Sequence, residues 1–313
     1  MSPPTLFFEV LIDEAFSGFN DDASIIPSDK KHVLSAINDF EDGKWRYARF
    51  QNFIWDNIVE TALSNVERQN LSHQNHTLLT AAAKSLRLTD ASQGDIGKGS
   101  ELAEIVLYGI MKHHYHALPV VPKIFYKQNN QDNAKGADSV HIVLSGNDFS
   151  IWFGEAKFYN DIENARLGKI VESVGNALQT DKLKKENSII TNVKDLDVLI
   201  GDAGLRAQIK AALQQQNSID ALKPRLHIPI LLLHECGITK NCKALTGGYK
   251  ASIADFHKQR AKAYFKKQVS ELGNTISQYS DISFHIILFP VPDKGEIVNK
   301  FLANVAFYKG QQS

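Results

Sequence analysis

The sequence is poor in cysteine, has no net charge and contains no long apolar run. Its two cysteines, Cys236 and Cys242, are too few for a disulfide scaffold and lack the second pair of a zinc ribbon. Basic and acidic residues each number 35, so bulk charge favours neither nucleic-acid nor membrane binding. No apolar run reaches the roughly 18 residues of a membrane span, and the first residues lack the basic segment of a signal peptide. We therefore expect a cytoplasmic protein whose two thiols are reduced.

Charge is nevertheless distributed unevenly along the chain. Residues 1–60 carry eleven acids against five bases, whereas residues 240–267 carry eight bases and a single acid, so a polyanion would prefer the C-terminal part. In that part, Lys258, Lys262 and Lys266 recur every four residues on a predicted helix and are spaced to contact backbone phosphates. The alternative is an ordinary solvated helix face.

The order of predicted elements divides the chain near residue 95. Residues 1–95 read as one strand, TLFFEVLID, followed by helices, because apolar residues recur at helical spacing from Lys30 to about Asn70. In residues 96–313 the patterns predict a helix, three strands and then alternating helices and strands. We therefore predict an α/β fold with a mainly helical N-terminal region. The predicted segments of the second part are 99–114 (helix), 119–127, 138–145 and 149–158 (strands), 161–180 and 202–215 (helices), 228–235 (strand), 251–277 (helix), 283–290 (strand) and 294–307 (helix).

Residues 153–159, FGEAKFY, place two charged side chains in a stretch that otherwise looks like a buried strand. The Gly-Asn pair at 146–147 indicates a two-residue hairpin turn between the second and third predicted strands, because both residues tolerate positive φ. Counting outward from that turn in equal steps along both strands puts Asp138 opposite Glu155. Side chains alternate along a strand, which puts Lys157 on the same face as Glu155.

Three charged groups therefore meet on one predicted face. Opposed carboxylates about 5 Å apart repel each other unless a positive charge neutralises them. A divalent cation would do so, and an oxygen-only ligand set suits Mg²⁺ or Mn²⁺ better than zinc. Lys157 would orient a water nucleophile and offset charge in the transition state, as in nucleic-acid hydrolysis. The alternative is a solvated Asp138 and a surface ion pair between Glu155 and Lys157.

Asp138, a spacer of sixteen residues and the EAK triplet at 155–157 resemble the motif of the PD-(D/E)xK nuclease superfamily. Ala137 stands where the superfamily motif has proline. The order helix, three-stranded meander, helix, strand also resembles the core of that superfamily. More narrowly, the GAD segment, the hairpin and FGEAKFY are similar to the HamA family, the nuclease subunits of the Hachiman anti-phage defence system, which act with the helicase HamB.

This resemblance implies a metal-dependent DNA nuclease. Asp138 and Glu155 would be catalytic residues and ligands of Mg²⁺ or Mn²⁺, while Lys157 would position the attacking water. From their position alone, Arg166 and Lys169, at the start of the helix after the third strand, would contact DNA near the cleaved bond; the alternative is an ordinary solvated helix face.

The helix before the three strands carries two candidates for a further metal ligand. A glutamate at this place often completes the metal site of the superfamily, so the resemblance extends to Glu101 or Glu104. Glu101 lies one turn before Ile105 on the apolar face of the helix, whereas Glu104 shares an edge with Tyr108. We choose Glu101; the alternative is an ordinary first-turn residue that complements the helix dipole.

The resemblance also implies a partner, a HamB-like superfamily 2 helicase that supplies ATP-driven engagement of DNA. Residues 1–95 would then dock that partner or cover the active site. Two other functions stay open: a stand-alone restriction-type endonuclease, and a catalytically degenerate module that only binds DNA or protein. No membrane role is expected.

Overall fold

The computed structural model describes residues 6–19, 22–87, 99–124, 137–192 and 195–311. The strands are Glu9–Ala15 (β1), Lys31–Ile37 (β2), Phe40–Glu41 (β3), Lys44–Trp45 (β4), Leu118–Val121 (β5), Ser139–Ser145 (β6), Asp148–Tyr159 (β7), Leu226–Glu235 (β8) and Ser283–Val291 (β9). The helices are Tyr47–Ala62 (α1), Asn65–Asn70 (α2), Asn75–Ser85 (α3), Ser100–His113 (α4), Asn164–Ala177 (α5), Thr180–Asn192 (α6), Asp195–Leu199 (α7), Ala203–Ala212 (α8), Gly237–Asn241 (α9), Gly247–Leu272 (α10) and Lys294–Gly310 (α11).

Seven of these strands form one mixed sheet in the order β1-β2-β9-β8-β7-β6-β5. The central strands β2, β9, β8 and β7 are parallel to one another. β1 at one edge, and β6 and β5 at the other, are antiparallel to their neighbours. The α/β class predicted from the sequence is therefore confirmed.

Helices cover both faces of the sheet. One face packs against α5 and α10 in a core that contains Ile170 and Tyr264. The other face packs against α1, α4 and α11 in a core that contains Ile54, Ile105 and Phe301. Because a central parallel strand has no side that faces solvent, β8 is an almost continuous apolar run, as its sequence indicates.

The prediction that the N-terminal part begins its helices at Lys30 is wrong. Residues 31–37 form β2, which lies between β1 and β9 and is buried along almost its whole length. Val33 and Ile37 are four residues apart, a spacing that a helix and a strand buried on both faces can both show. Residues 31–37 form a strand because they pair with β9, which comes from the far end of the chain. From Tyr47 onward the predicted helices are confirmed by α1 and α3.

The predicted division into residues 1–95 and 96–313 stays a prediction. β1 and β2 precede this boundary and yet belong to the same sheet as β8 and β9. α1 and α4, on either side of the boundary, share one apolar core. The strand predicted at 119–127 is shorter in the structure, where β5 ends at Val121, and residues 125–127 lie outside the described residues.

The long C-terminal helices begin at side-chain caps. The Tyr249 N–H donates to Thr246 Oγ1 at 3.2 Å before α10, and the Glu296 N–H donates to Asp293 Oδ1 at 2.9 Å before α11. Both helices lie close to their predicted positions.

None of the helices in the described part of the chain combines the length and the apolar character that crossing a lipid bilayer requires.

Candidate active site

The hairpin between β6 and β7 has the predicted register. Ser139 pairs with Gly154 at the far end of the ladder, and Gly146 lies in the turn at a φ of 59°. One residue beyond this pair, the Asp138 N–H donates a hydrogen bond of 2.7 Å to the carbonyl oxygen of Gly154. The two-residue turn therefore brings Asp138, one residue beyond the last pair of the ladder, next to Glu155, and their charges interact.

Side chains alternate along β7, so Glu155 and Lys157 lie on one face of the sheet and their immediate neighbours on the other. Ile151 belongs to the core beneath α5 and α10, whereas Trp152 and Ala156 belong to the core beneath α1, α4 and α11. Glu155 and Lys157 are an even number of residues from Ile151, so they lie on the face that α5 covers.

Lys157 bridges the two carboxylates. Its Nζ lies 3.0 Å from Glu155 Oε2 and 3.5 Å from Asp138 Oδ2. The Ala156 N–H donates to Asp138 Oδ2 at 3.0 Å, and Ser173 Oγ on α5 donates to Glu155 Oε2 at 2.9 Å. The exposed fraction of the side chain is 6% for Glu155, 16% for Asp138 and 28% for Lys157, so solvent reaches the trio mainly from the side of the lysine.

Burial and neighbouring charge set the protonation of the trio. Burial raises the pKa of Glu155 and the adjacent Asp138 carboxylate raises it further, while Lys157 and Ser173 act in the opposite direction. Burial lowers the pKa of Lys157, but the two carboxylates more than offset that effect and hold the pKa above its usual value. Lys157 is therefore cationic at neutral pH. With both carboxylates ionised, the trio carries one formal negative charge.

The donor set of the trio fits a hard divalent cation. Asp138 and Glu155 offer carboxylate oxygens, which Mg²⁺ and Mn²⁺ prefer over nitrogen or sulfur. A cation near them would also oppose the rise in the pKa of Glu155, because an opposite charge favours the carboxylate. Across the described ranges, however, no three His, Cys, Asp or Glu side chains form a group that could hold a metal ion. The predicted third ligand, Glu101, therefore does not join Asp138 and Glu155 in such a group.

The two glutamates of α4 have different surroundings. Glu101 accepts a hydrogen bond of 3.0 Å from the Arg87 N–H. Glu104 is 6% exposed and lines a small cavity together with Asp138. The structure thus places Glu104, and not Glu101, in the cavity beside Asp138. The apolar face did not distinguish the two, because α4 is buried around its whole circumference after its first turn.

Helix α5 carries the predicted DNA contacts and one residue that the sequence analysis missed. Lys169 is exposed. Arg166 lies 4.0 Å from Asp161, and its guanidinium carbon lies 5.8 Å from the centre of the Tyr159 ring. Ser173 follows Arg166 by two helical turns, so it shares a helix face with Arg166 and Lys169. That spacing is the signal in the sequence that links Ser173 to the site.

The lysine stripe of α10 contacts the segment that follows β1. Lys262 and Lys266 lie 3.9 Å and 3.6 Å from Asp22 Oδ2, and Lys258 Nζ lies 5.1 Å from the centre of the Phe19 ring. These contacts join the three lysines to the segment after β1, and none of the contacts joins them to the trio. Their role in binding DNA stays a prediction.

The match to a known family covers the whole of this site. The family model for HamA matches residues 12–305, which include the β6–β7 hairpin, α5 and α10. No curated protein shows detectable similarity to the chain. The chain therefore belongs to the HamA family, and this membership implies a role in the Hachiman defence system.

Proposed function

We propose that the chain is a metal-dependent DNA nuclease with a PD-(D/E)xK core, and that it is the effector of a Hachiman defence complex. The observation that carries the proposal is the meeting of Asp138 and Glu155 across the hairpin, with Lys157 Nζ 3.5 Å and 3.0 Å from their oxygens. The order of elements supports the superfamily, since α4 precedes β5, β6 and β7, which α5 and β8 follow. Membership of the HamA family supports the role in defence.

Asp138 and Glu155 would hold Mg²⁺ or Mn²⁺ through their carboxylate oxygens. When bound, such an ion polarises a phosphodiester and lowers the pKa of a water molecule. Lys157 keeps its proton because both carboxylates raise its pKa. Its N–H groups would orient the attacking water and stabilise the negative charge that develops on the phosphate oxygens. The Ala156 N–H and the Ser173 hydroxyl fix the two carboxylates before substrate arrives.

DNA would approach from the side of α5. Lys157 is the most exposed member of the trio, and Arg166 and Lys169 lie on the helix face that also presents Ser173 to Glu155. Cations at that position can pair with backbone phosphates on either side of the cleaved bond, which fixes the register of the strand without reading its sequence. Lys258, Lys262 and Lys266 would extend the contact along α10.

The proposed partner is a HamB-like superfamily 2 helicase, which the family membership supports. It would supply ATP-driven engagement of DNA, while this chain would cleave. Residues 1–95 would dock that partner, through a surface that includes exposed residues such as Val66 on α2, or would cover the active site. Because β1 and β2 complete the sheet, that surface is tested by point substitutions on exposed positions such as Val66, and not by deletion of residues 1–95.

The proposal is tested by incubating supercoiled plasmid with the purified chain, alone and together with its helicase partner and ATP. Cleavage that requires Mg²⁺ or Mn²⁺ and stops with EDTA is expected. Cleavage at a palindromic site without partner or ATP would favour a stand-alone restriction-type endonuclease. DNA binding without cleavage in every condition would favour a degenerate binding module and would refute the nuclease.

A further inference from the structure

A buried ion pair lies beside the proposed active site. Lys123 Nζ contacts both carboxylate oxygens of Glu186 on α6, at 2.8 Å and 2.6 Å, and the two side chains are only 3% and 4% exposed. Lys123 also lines the cavity that contains Asp138 and Glu104. The pair joins the segment after β5 to α6, two parts of the chain that are 63 residues apart.

Net stability is a poor explanation for this pair. Removing two charges from water costs several kcal/mol per ion, and the attraction between them offsets this only when the geometry is good. Apolar residues of similar volume often replace such pairs without loss of stability. The pair also holds a third group in place.

That third group is the backbone immediately before Asp138. Glu186 Oε1 accepts a hydrogen bond of 3.1 Å from the Ala137 N–H, in addition to its contact with Lys123. Ala137 is 3% exposed, so this N–H would otherwise lack water. The next N–H, that of Asp138, donates to Gly154 at 2.7 Å. Two successive backbone hydrogen bonds therefore fix the residue that carries the first carboxylate.

We propose that Glu186, oriented by Lys123, is a positioning residue that fixes Asp138 for catalysis. The inference rests on the proposed nuclease function of the site. Helices α5 and α6 then act together, because Ser173 on α5 holds the Glu155 carboxylate and Glu186 on α6 holds the backbone beside Asp138. A shift of a catalytic group by about 1 Å can lower the reaction rate about 100-fold. Fixing both carboxylates therefore explains why a buried ion pair is present here.

Two double variants isolate the hydrogen bond to Ala137. Lys123→Met with Glu186→Gln removes both charges but keeps a side-chain oxygen that can accept from the Ala137 N–H. Lys123→Met with Glu186→Met removes both charges and that oxygen, with nearly the same side-chain shape. Each variant leaves one buried polar group without a partner, the glutamine amide in the first and the Ala137 N–H in the second, so similar melting temperatures are expected.

The readouts are plasmid cleavage, thermal unfolding and hydrogen exchange of the Ala137 and Asp138 amides. We expect the Met/Met variant to lose about 10- to 100-fold in kcat with KM for DNA changed less than about twofold, and the Met/Gln variant to keep most of kcat. Exchange of the Ala137 amide should be faster in the Met/Met variant alone. Lys210→Met with Asp197→Asn, which removes an exposed ion pair, is the matched control and should change none of these readouts.

Equal cleavage and equal amide exchange in the two double variants would overturn the positioning role, as would losses of activity that follow the melting temperatures. Failure of the proposed function gives a different result, because wild-type protein would then cleave nothing under any metal or partner condition. Even in that case, the comparison of amide exchange decides whether Glu186 fixes the backbone at Ala137 and Asp138.

Discussion

Ser173 on α5 donates a hydrogen bond of 2.9 Å to Glu155 Oε2. This contact joins a helix to the second carboxylate of the trio, and a proposed metal ligand needs such support to keep its orientation. We predict that Ser173→Ala lowers kcat of DNA cleavage about 10-fold or more, with a change in the free energy of unfolding of about 1 kcal/mol or less. Ser173→Thr keeps the hydroxyl and should retain most of the activity. Equal cleavage by Ser173→Ala and wild type would show that the contact is not needed.

Lys157 neutralises one of two neighbouring carboxylates, so its removal should make stability depend on metal. In Lys157→Met, Asp138 and Glu155 lack their counter-charge, and Mg²⁺ binding to the folded state should restore it. We predict that millimolar MgCl₂ raises the melting temperature of Lys157→Met more than that of wild type. Lys210→Met, which removes an exposed partner of Asp197, is the control and should respond like wild type. The same response in all three proteins would argue against a cation between these carboxylates.

Arg166 and Lys169 are predicted to contact DNA phosphates near the cleaved bond. Each lost phosphate contact should reduce the slope of log K against log salt concentration by roughly 0.9. We predict a clear reduction of that slope for Arg166→Gln with Lys169→Gln, measured by DNA binding in EDTA so that no cleavage occurs. Arg206→Gln with Lys210→Gln on α8 removes the same charge from another helix and should leave the slope unchanged. Identical slopes for the two double variants would refute the proposed contact.

Lys31 makes the stability of the fold depend on pH. It is fully buried on β2, its Nζ lies 4.3 Å and 4.5 Å from the ring centres of Tyr279 and Phe284, and it has no hydrogen-bond partner among the described residues. Burial lowers its pKa to about 7, and Asp29 opposes that shift. Above pH 7 the unfolded chain binds the proton that the folded protein releases, so stability rises with pH until the ordinary pKa of lysine is reached.

We therefore predict that the free energy of unfolding increases by about 2 kcal/mol between pH 7 and pH 9 because of Lys31. Urea denaturation at both pH values measures it. Lys31→Met should be more stable than wild type at pH 7 and should lose this increase, whereas Lys44→Met, on the surface of β4, should keep it. An unchanged pH dependence in Lys31→Met would show that Lys31 does not titrate in this range.

The register of the site could be predicted because it depends on local chemistry. The Gly-Asn pair at 146–147 permits a two-residue turn, and such a turn fixes the pairs up to Ser139 with Gly154, beside which Asp138 and Glu155 meet. The same holds for β8, since its continuous apolar run indicates a strand covered on both faces. In both cases the information lies within about twenty neighbouring residues.

Other features depend on contacts between distant parts of the chain. Residues 31–37 become a strand because β9 pairs with them. Glu104 rather than Glu101 lines the cavity beside Asp138, and the apolar pattern could not show this because α4 is buried on all sides. The contact of Lys123 with Glu186 spans 63 residues and leaves no periodic pattern in the sequence. Tertiary packing determines these three features, and the local sequence pattern does not indicate them.

The central claim, that Asp138, Glu155 and Lys157 form a metal-dependent catalytic site, is tested most directly by one substitution. Glu155→Gln keeps the size of the side chain and removes the charge, and Glu172→Gln changes an exposed glutamate on α5 in the same way. The measurement is the initial rate of plasmid cleavage in Mg²⁺, with the helicase partner and ATP present. The account predicts a loss of about 100-fold or more for Glu155→Gln and the wild-type rate for Glu172→Gln. Cleavage by Glu155→Gln at the wild-type rate would contradict it.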